Sequence, residues 1–314
     1  IIEHNIHGID IDQRCAQIAG LSLWLRAQKA WQRLGLNPAE RPAIKRSNIV
    51  CAEPMPGEKE LLREFVEREF PATERGVYLR LLETIFDKMQ LAGEAGSLLK
   101  IEEEIRSAIV AARDQAATPR LFDADDSSLT AENFWERTEE RIYAALREYS
   151  EQAETSGGFQ RRLFAEDAAR GFAFIDVCRK RYDVALMNPP FGLSSRSAKH
   201  YLETAFNQKR LDFAACFISR FSSRTNALGA ITTRNIYFLS SYADWRKTQL
   251  LGEGLSLHSY VDLGGGVLDG AMVEAALTVL HSWRSPCSTF YDCSKVKEKE
   301  AHLKGRLDAS LSGV

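Results

Sequence analysis

Apolar and polar residues alternate along this chain in two rhythms, one at each end and another in the middle. "NIHGIDID" (5–12) holds a short strand over Ile6–Asp12 that ends in two acids. Residues 13–35 follow with apolar positions at Ile18, Leu21 and Leu25 and a stop at Gly35, the signature of an amphipathic helix. "SNIVCAEP" (47–54) reads as a second strand, closed by Pro54. A strand, a helix and a strand in this order predict a parallel α/β unit, with ligands at the carboxyl ends of the strands.

The rhythm then changes. Residues 53–157 carry almost no strand signal, while "EKELLREFVEREF" and "SLLKIEEEIRSAIVAARDQ" have helical spacing. "QAETSGG" (152–158) closes the segment as a loop. From "YDVALM" (182–187) the α/β pattern resumes. Residues 210–224 read as a helix, 229–240 begin as a strand, and 245–254 form a short helix. Residues 257–266 and 273–283 are two more strands around the glycine-rich "DLGGGVLDG" (262–270), which reads as a hairpin. The polar tail from Ser285 is expected to be peripheral.

Charge sharpens this division. The middle segment holds 13 Lys and Arg against 24 Asp and Glu, so it is strongly acidic, while the rest of the chain is net positive. Solvated helical faces are the expectation for the acidic part. No apolar run approaches the roughly 18 residues of a membrane span, and no signal peptide opens the chain. Of the six cysteines (Cys15, Cys51, Cys178, Cys216, Cys287 and Cys293) none form a C-x-x-C pair. Reduced thiols in a cytoplasmic protein are therefore expected, with no metal site. Cys15 and Cys216 lie in apolar helical patterns and read as core residues.

The chemistry concentrates in "YDVALMNPPFG" (182–192). Proline lacks an N–H and fixes φ, so Pro189 and Pro190 stiffen the chain and leave carbonyls unpaired. Asn188 offers an amide oxygen and an NH2 group. Phe191 offers a face for a planar ring. Together they could hold an amino group on an aromatic base, with the Asn188 oxygen and the Pro189 carbonyl accepting its two hydrogens. The plainer reading is a loop stiffened by Pro-Pro.

In its context of "NIHGIDID", "NIVCAEP" and "DVALMNPPFG", the corner resembles the Asp/Asn/Ser-Pro-Pro-Tyr/Phe motif of N6-adenine DNA methyltransferases. "GIDIDQRCAQIAGLSLWLRA" looks like the large members in BREX phage-defence systems and in fused type IIG restriction–modification enzymes. The resemblance covers about residues 1–52 and 160–283. It implies an α/β fold with a Rossmann-like sheet that uses S-adenosylmethionine and carries a large helical insertion. On this reading the catalytic domain is 1–52 with 158–284, the insertion is 53–157, and 285–314 is peripheral. Asp10 would bind the ribose hydroxyls of the cofactor and Ile11 would touch its adenine; Asp12 would cap the next helix. Glu53 fits the acid that contacts the cofactor adenine, and Asp167 in "LFAEDAARG" competes for that role. The chain begins at Ile1 without the first strand and its Gly-rich loop, so this piece is expected to bind cofactor poorly alone.

Methyl transfer to the N6 amino group of a flipped adenine is the reaction the resemblance implies, with double-stranded DNA and other defence-system proteins as partners and no membrane. Flipping costs a few kcal/mol, and stacking on Phe191 would recover part of it. Arg196, Lys199, Lys209 and Arg210 flank the corner and could meet phosphates. The rival readings are protein glutamine N5-methylation and a non-catalytic DNA-binding or assembly module with the same fold.

Overall fold

The computed structural model describes residues 1–107, 131–156, 159–190, 196–206, 212–252, 255–267, 273–283 and 287–311. The chain divides into two compact units, Ile1–Arg179 and Lys180–Val314.

In the first unit, β1 (His7–Asp10) pairs in parallel with β2 (Asn48–Cys51), with Asp10 opposite Cys51. The crossover is helix α1 (Gln13–Arg33). Both its ends are set locally. Asp12 is the N-cap, its carboxylate accepting the Arg14 N–H at 2.8 Å. Gly35 takes a left-handed φ of 72°, and the Leu36 N–H donates to the Trp31 carbonyl at 3.0 Å, which closes the last turn. Small residues on one face, including Ala16, Ala19 and Gly20, are half-buried. The expected apolar face lies elsewhere: Ile18, Leu21 and Leu25 are 63%, 57% and 53% exposed. Cys15 is exposed too, against the expectation of a core residue. Amphipathic spacing shows that a helix has an apolar face, not that anything covers it.

The core of this unit is helical. It is built from α2 (Lys59–Glu69), α3 (Arg75–Met89), α4 (Ala131–Ser156) and α5 (Phe159–Arg179). Phe65 on α2 sits at its centre, with ring centroids 5.8 Å from Phe70, 5.4 Å from Tyr149 and 6.2 Å from Phe164. Helix α5 serves two neighbours. Phe164 and Phe172 enter this core, while the helix also packs on β1 and β2. Gly171 admits Met55, whose Cγ lies 2.7 Å from where a Cβ would stand.

The second unit is built on a five-stranded sheet in the order β3-β4-β6-β5-β7. Strand β3 (Tyr182–Met187) runs parallel to β4 (Thr225–Thr233), and β4 and β5 (Ser256–Gly264) each run antiparallel to β6 (Ala275–His281). The β5–β6 hairpin expected from the glycine-rich stretch is present; residues 268–270 of that stretch lie outside the described residues. The segment after Ser285 joins the sheet through β7 (Thr289–Asp292), parallel to β5, and buries Cys293. Cys216 is buried as expected on the helix Phe213–Ser222, whose N-cap Asp212 accepts the Ala214 N–H at 3.1 Å. Trp245 fills the space between that helix and the sheet, and its indole N–H donates to Ser219 Oγ at 2.9 Å. Strand β3 forms one edge of the sheet, and Leu186 on it is 83% exposed.

Truncating a buried aromatic ring costs about 3–5 kcal/mol. Phe65→Ala should therefore lower the stability of the first unit by that amount, and Phe65→Leu by clearly less. Urea unfolding followed by circular dichroism checks both.

Candidate functional site

Strand β3 delivers the corner. Its last paired residue, Met187, lies opposite Ala230 of β4, and the chain then enters Asn188-Pro189-Pro190. Neither proline can donate to a sheet ladder, so the pairing stops here. Asn188 and Pro190 are exposed, while Pro189 is buried and anchors the turn. Strands β4 and β5 run parallel to β3, so the carboxyl ends of all three lie along one edge of the sheet. Phe191, Lys209 and Arg210 lie outside the described residues, as does the side chain of Arg196; Lys199 is exposed on the helix Arg196–Ala205.

The same edge carries a cluster that pattern reading missed. The Arg234 guanidinium reaches Asp262 Oδ2 at 3.0 Å and Glu274 Oε2 at 2.8 Å, and it lies 5.8 Å from the Phe238 ring centroid. Asp262 also accepts the Gly264 N–H at 2.9 Å. One arginine thus ties the end of β4 to both arms of the β5–β6 hairpin. Below it, the Tyr237 hydroxyl lies 2.8 Å from Thr278 Oγ1. The only sequence signal was an arginine directly after one strand and acids at the ends of two others.

In the first unit the predicted acids cluster at the carboxyl ends of β1 and β2. Asp10 accepts the Asp12 N–H at 2.8 Å, which orients its carboxylate. Ile11 is 53% exposed, and its Cγ2 lies 3.3 Å from where a Cβ of Gly96 would stand. Gly96 has a φ of 53°, so both backbone and space favour glycine there. Glu53 follows β2 and is half-buried. Burial pushes the Cys51 thiol up to about 11, and Glu53 beside it adds to the shift, with smaller contributions from Asp10 and Asp12. Asp167 projects from the middle of α5. Burial raises its carboxyl above the ordinary carboxylate range; Arg170, 3.2 Å away, opposes this, and Glu53 reinforces it. Glu53 and Asp167 therefore act on one another electrostatically. Among the described residues no group of three or more His, Cys, Asp or Glu could hold a metal ion. No described helix is long and apolar enough to cross a membrane.

Comparison with known proteins gives a family. The model of the Eco57I restriction-modification methylases matches residues 4–267. No curated protein matches the chain. Among solved structures, the chain is similar to a putative class I S-adenosylmethionine-dependent methyltransferase from Listeria monocytogenes, at 12% identity and a TM-score of 0.34, covering 80% of this chain and 97% of that one. It is also similar to a type I restriction-modification methyltransferase subunit from Streptococcus thermophilus, at 11% identity and a TM-score of 0.34, with 83% and 75% covered. The M protein of the type I restriction enzyme EcoKI gives 12% identity, a TM-score of 0.28, and 74% and 64% covered.

Two outcomes follow from the electrostatics. Glu53 disfavours the Cys51 thiolate, so Glu53→Gln should speed alkylation of Cys51 by iodoacetamide near pH 9, and the exposed Cys15 should be unaffected. Peptide mass spectrometry reads both rates. Asp167 holds its proton more tightly in the fold than in the unfolded chain. Its favourable contribution is therefore full below the ordinary value of 3.8 and is lost as the pH rises through the raised value. Asp167→Asn should raise the melting temperature at pH 7, with the gain vanishing as the pH falls towards 3.8.

Proposed function

This chain belongs to the Eco57I restriction-modification methylase family, and we propose that it transfers a methyl group from S-adenosylmethionine to the N6 amino group of an adenine flipped out of duplex DNA. The observation that carries the reading is the exposed Asn188 amide beside a buried Pro189 at the carboxyl end of β3. There the Asn188 amide oxygen and the Pro189 carbonyl accept the two N6 hydrogens. Their pull draws the nitrogen lone pair out of conjugation with the ring and aims it at the methyl carbon. Phe191 stacks on the flipped base. The bound cofactor supplies an activated methyl group on a sulfonium.

Nothing in this scheme needs a covalent link to the protein. With cofactor bound, the N6 nitrogen would take the methyl group, the sulfonium would leave as a neutral thioether, and the nitrogen would release a proton to water. The first unit supplies fitting partners for the cofactor. Asp10, held by the Asp12 N–H, would accept from the ribose hydroxyls, exposed Ile11 would contact the adenine, and Glu53 or Asp167 would accept from the adenine amino group. The arginine cluster at Arg234 keeps the carboxyl edge rigid while DNA is bound. A role in restriction–modification or phage defence follows, in which the mark distinguishes self from foreign DNA. Net charge supports this division of labour: residues 53–157 carry the excess of acids, which phosphates would repel, and the net positive remainder would attract DNA.

The test is Asn188→Ala in the intact enzyme. The hydrogen bond it removes strengthens as the nitrogen becomes tetrahedral, so single-turnover methylation should fall by two orders of magnitude or more, with cofactor affinity nearly unchanged. Phe191→Ala should weaken both DNA binding and rate, and Phe191→Tyr should restore them. A corner that only stiffens the loop predicts the opposite pattern, a lower melting temperature with normal turnover per folded molecule.

A further inference from the structure

At the edge of the second unit's sheet away from Asn188, two histidines meet. His281 closes β6 and is 1% exposed, and neither ring nitrogen has a hydrogen-bond partner among the described residues. Its ring is held on two sides. Trp283 stacks on it with centroids 4.1 Å apart and an interplanar angle of 8°, and His258 lies 4.9 Å away at 57°. The β5–β6 pairing shifts register between Leu257 and Ser259, so the exposed His258 sits at the irregularity with its ring against His281. His258 Nδ1 is 2.7 Å from Ser259 Oγ, which leaves Nε2 as its available donor atom.

We infer that His258 and His281 form a two-histidine site for a borderline divalent transition-metal cation, Zn(II) or its neighbours Cu(II) and Ni(II). A buried neutral imidazole with neither nitrogen partnered has one lone pair open to a cation or a donor. Two imidazoles sharing a tetrahedral metal place their nitrogens roughly 3.3 Å apart, within reach of rings this close. The Ser259 contact is the kind of outer hydrogen bond that fixes the tautomer of a ligating histidine. Chemistry selects the ion: the pair offers nitrogen donors and no third His, Cys, Asp or Glu among the described residues, so it suits oxygen-seeking Mg(II) and Ca(II) poorly. Water completes the coordination, and two protein ligands hold the ion more weakly than the four of a structural site. Bound metal would clip the amino end of β5 to the carboxyl end of β6, far along the strands from the catalytic corner.

Trp283 supplies a built-in reporter, because paramagnetic Cu(II) and Ni(II) quench a stacked indole. Titration of the tag-free chain with Ni(II) should quench part of the tryptophan fluorescence at one equivalent, and Zn(II) should compete. His258→Ala and His281→Phe should each weaken binding by at least about tenfold. Trp283→Phe should remove the quench while calorimetry still finds one Zn(II). His302→Ala is the control and should change nothing. His258 is exposed, so its variant decides the matter even if His281→Phe fails to fold. Calorimetric binding of equal strength in the wild type and in His258→Ala, or no binding at all, overturns the assignment.

Discussion

Proline's missing N–H organises the second unit. Strand β3 pairs with β4 up to Met187 and Ala230, and Pro189 and Pro190 then end the ladder within two residues. A strand that stopped by fraying would leave a mobile tip. Here the buried Pro189 holds the turn, so the exposed Asn188 projects from a fixed backbone at the carboxyl edge. The parallel pairing matters as much, because it sets the ends of β3, β4 and β5 along one edge. Arg234, Asp262 and Glu274 then bind the loops of that edge together, with both carboxylates within 3.0 Å of one guanidinium. Under the proposed reaction, such rigidity would let Asn188 and Pro189 favour a tetrahedral over a planar amino group.

The first unit handles charge differently. Three carboxylates, Asp10, Glu53 and Asp167, gather near the ends of β1 and β2, where burial and mutual repulsion act together on Cys51 and Asp167. Donors within the fold offset part of that cost, the Asp12 N–H for Asp10 and the Arg170 guanidinium for Asp167. The helical core around Phe65 reaches the helix of Asp167: Phe164, three residues before Asp167 on α5, packs against Phe65, so that packing helps hold Asp167 in place.

What the sequence made legible was local. Asp12 and Gly35 marked the ends of α1 because capping depends on the few residues beside it. The strand before Asn188 and the β5–β6 hairpin were readable from apolar runs and glycines. Contacts between distant segments were not. Ile18 and Leu21 have helical spacing yet stand exposed, and periodicity is silent about what covers a face. Helix α5 went unrecognised because "LFAEDAARGFAFIDVC" is apolar around much of its circumference, as befits a helix packed on both a sheet and a bundle. The Arg234 cluster joins residues 28 and 40 positions apart, beyond any window of pattern reading. The corner at Asn188 and Pro189 was legible as the end of a strand, whereas the electrostatic coupling of Glu53 to Asp167 required the fold.

The central claim is the identity of the methylated atom. Duplex DNA incubated with the intact enzyme and S-adenosylmethionine, then digested to nucleosides and separated by liquid chromatography with mass detection, reports that atom directly. The account predicts N6-methyladenine as the product. Methyl groups found on cytosine alone, or on a protein glutamine with none in DNA, would contradict it.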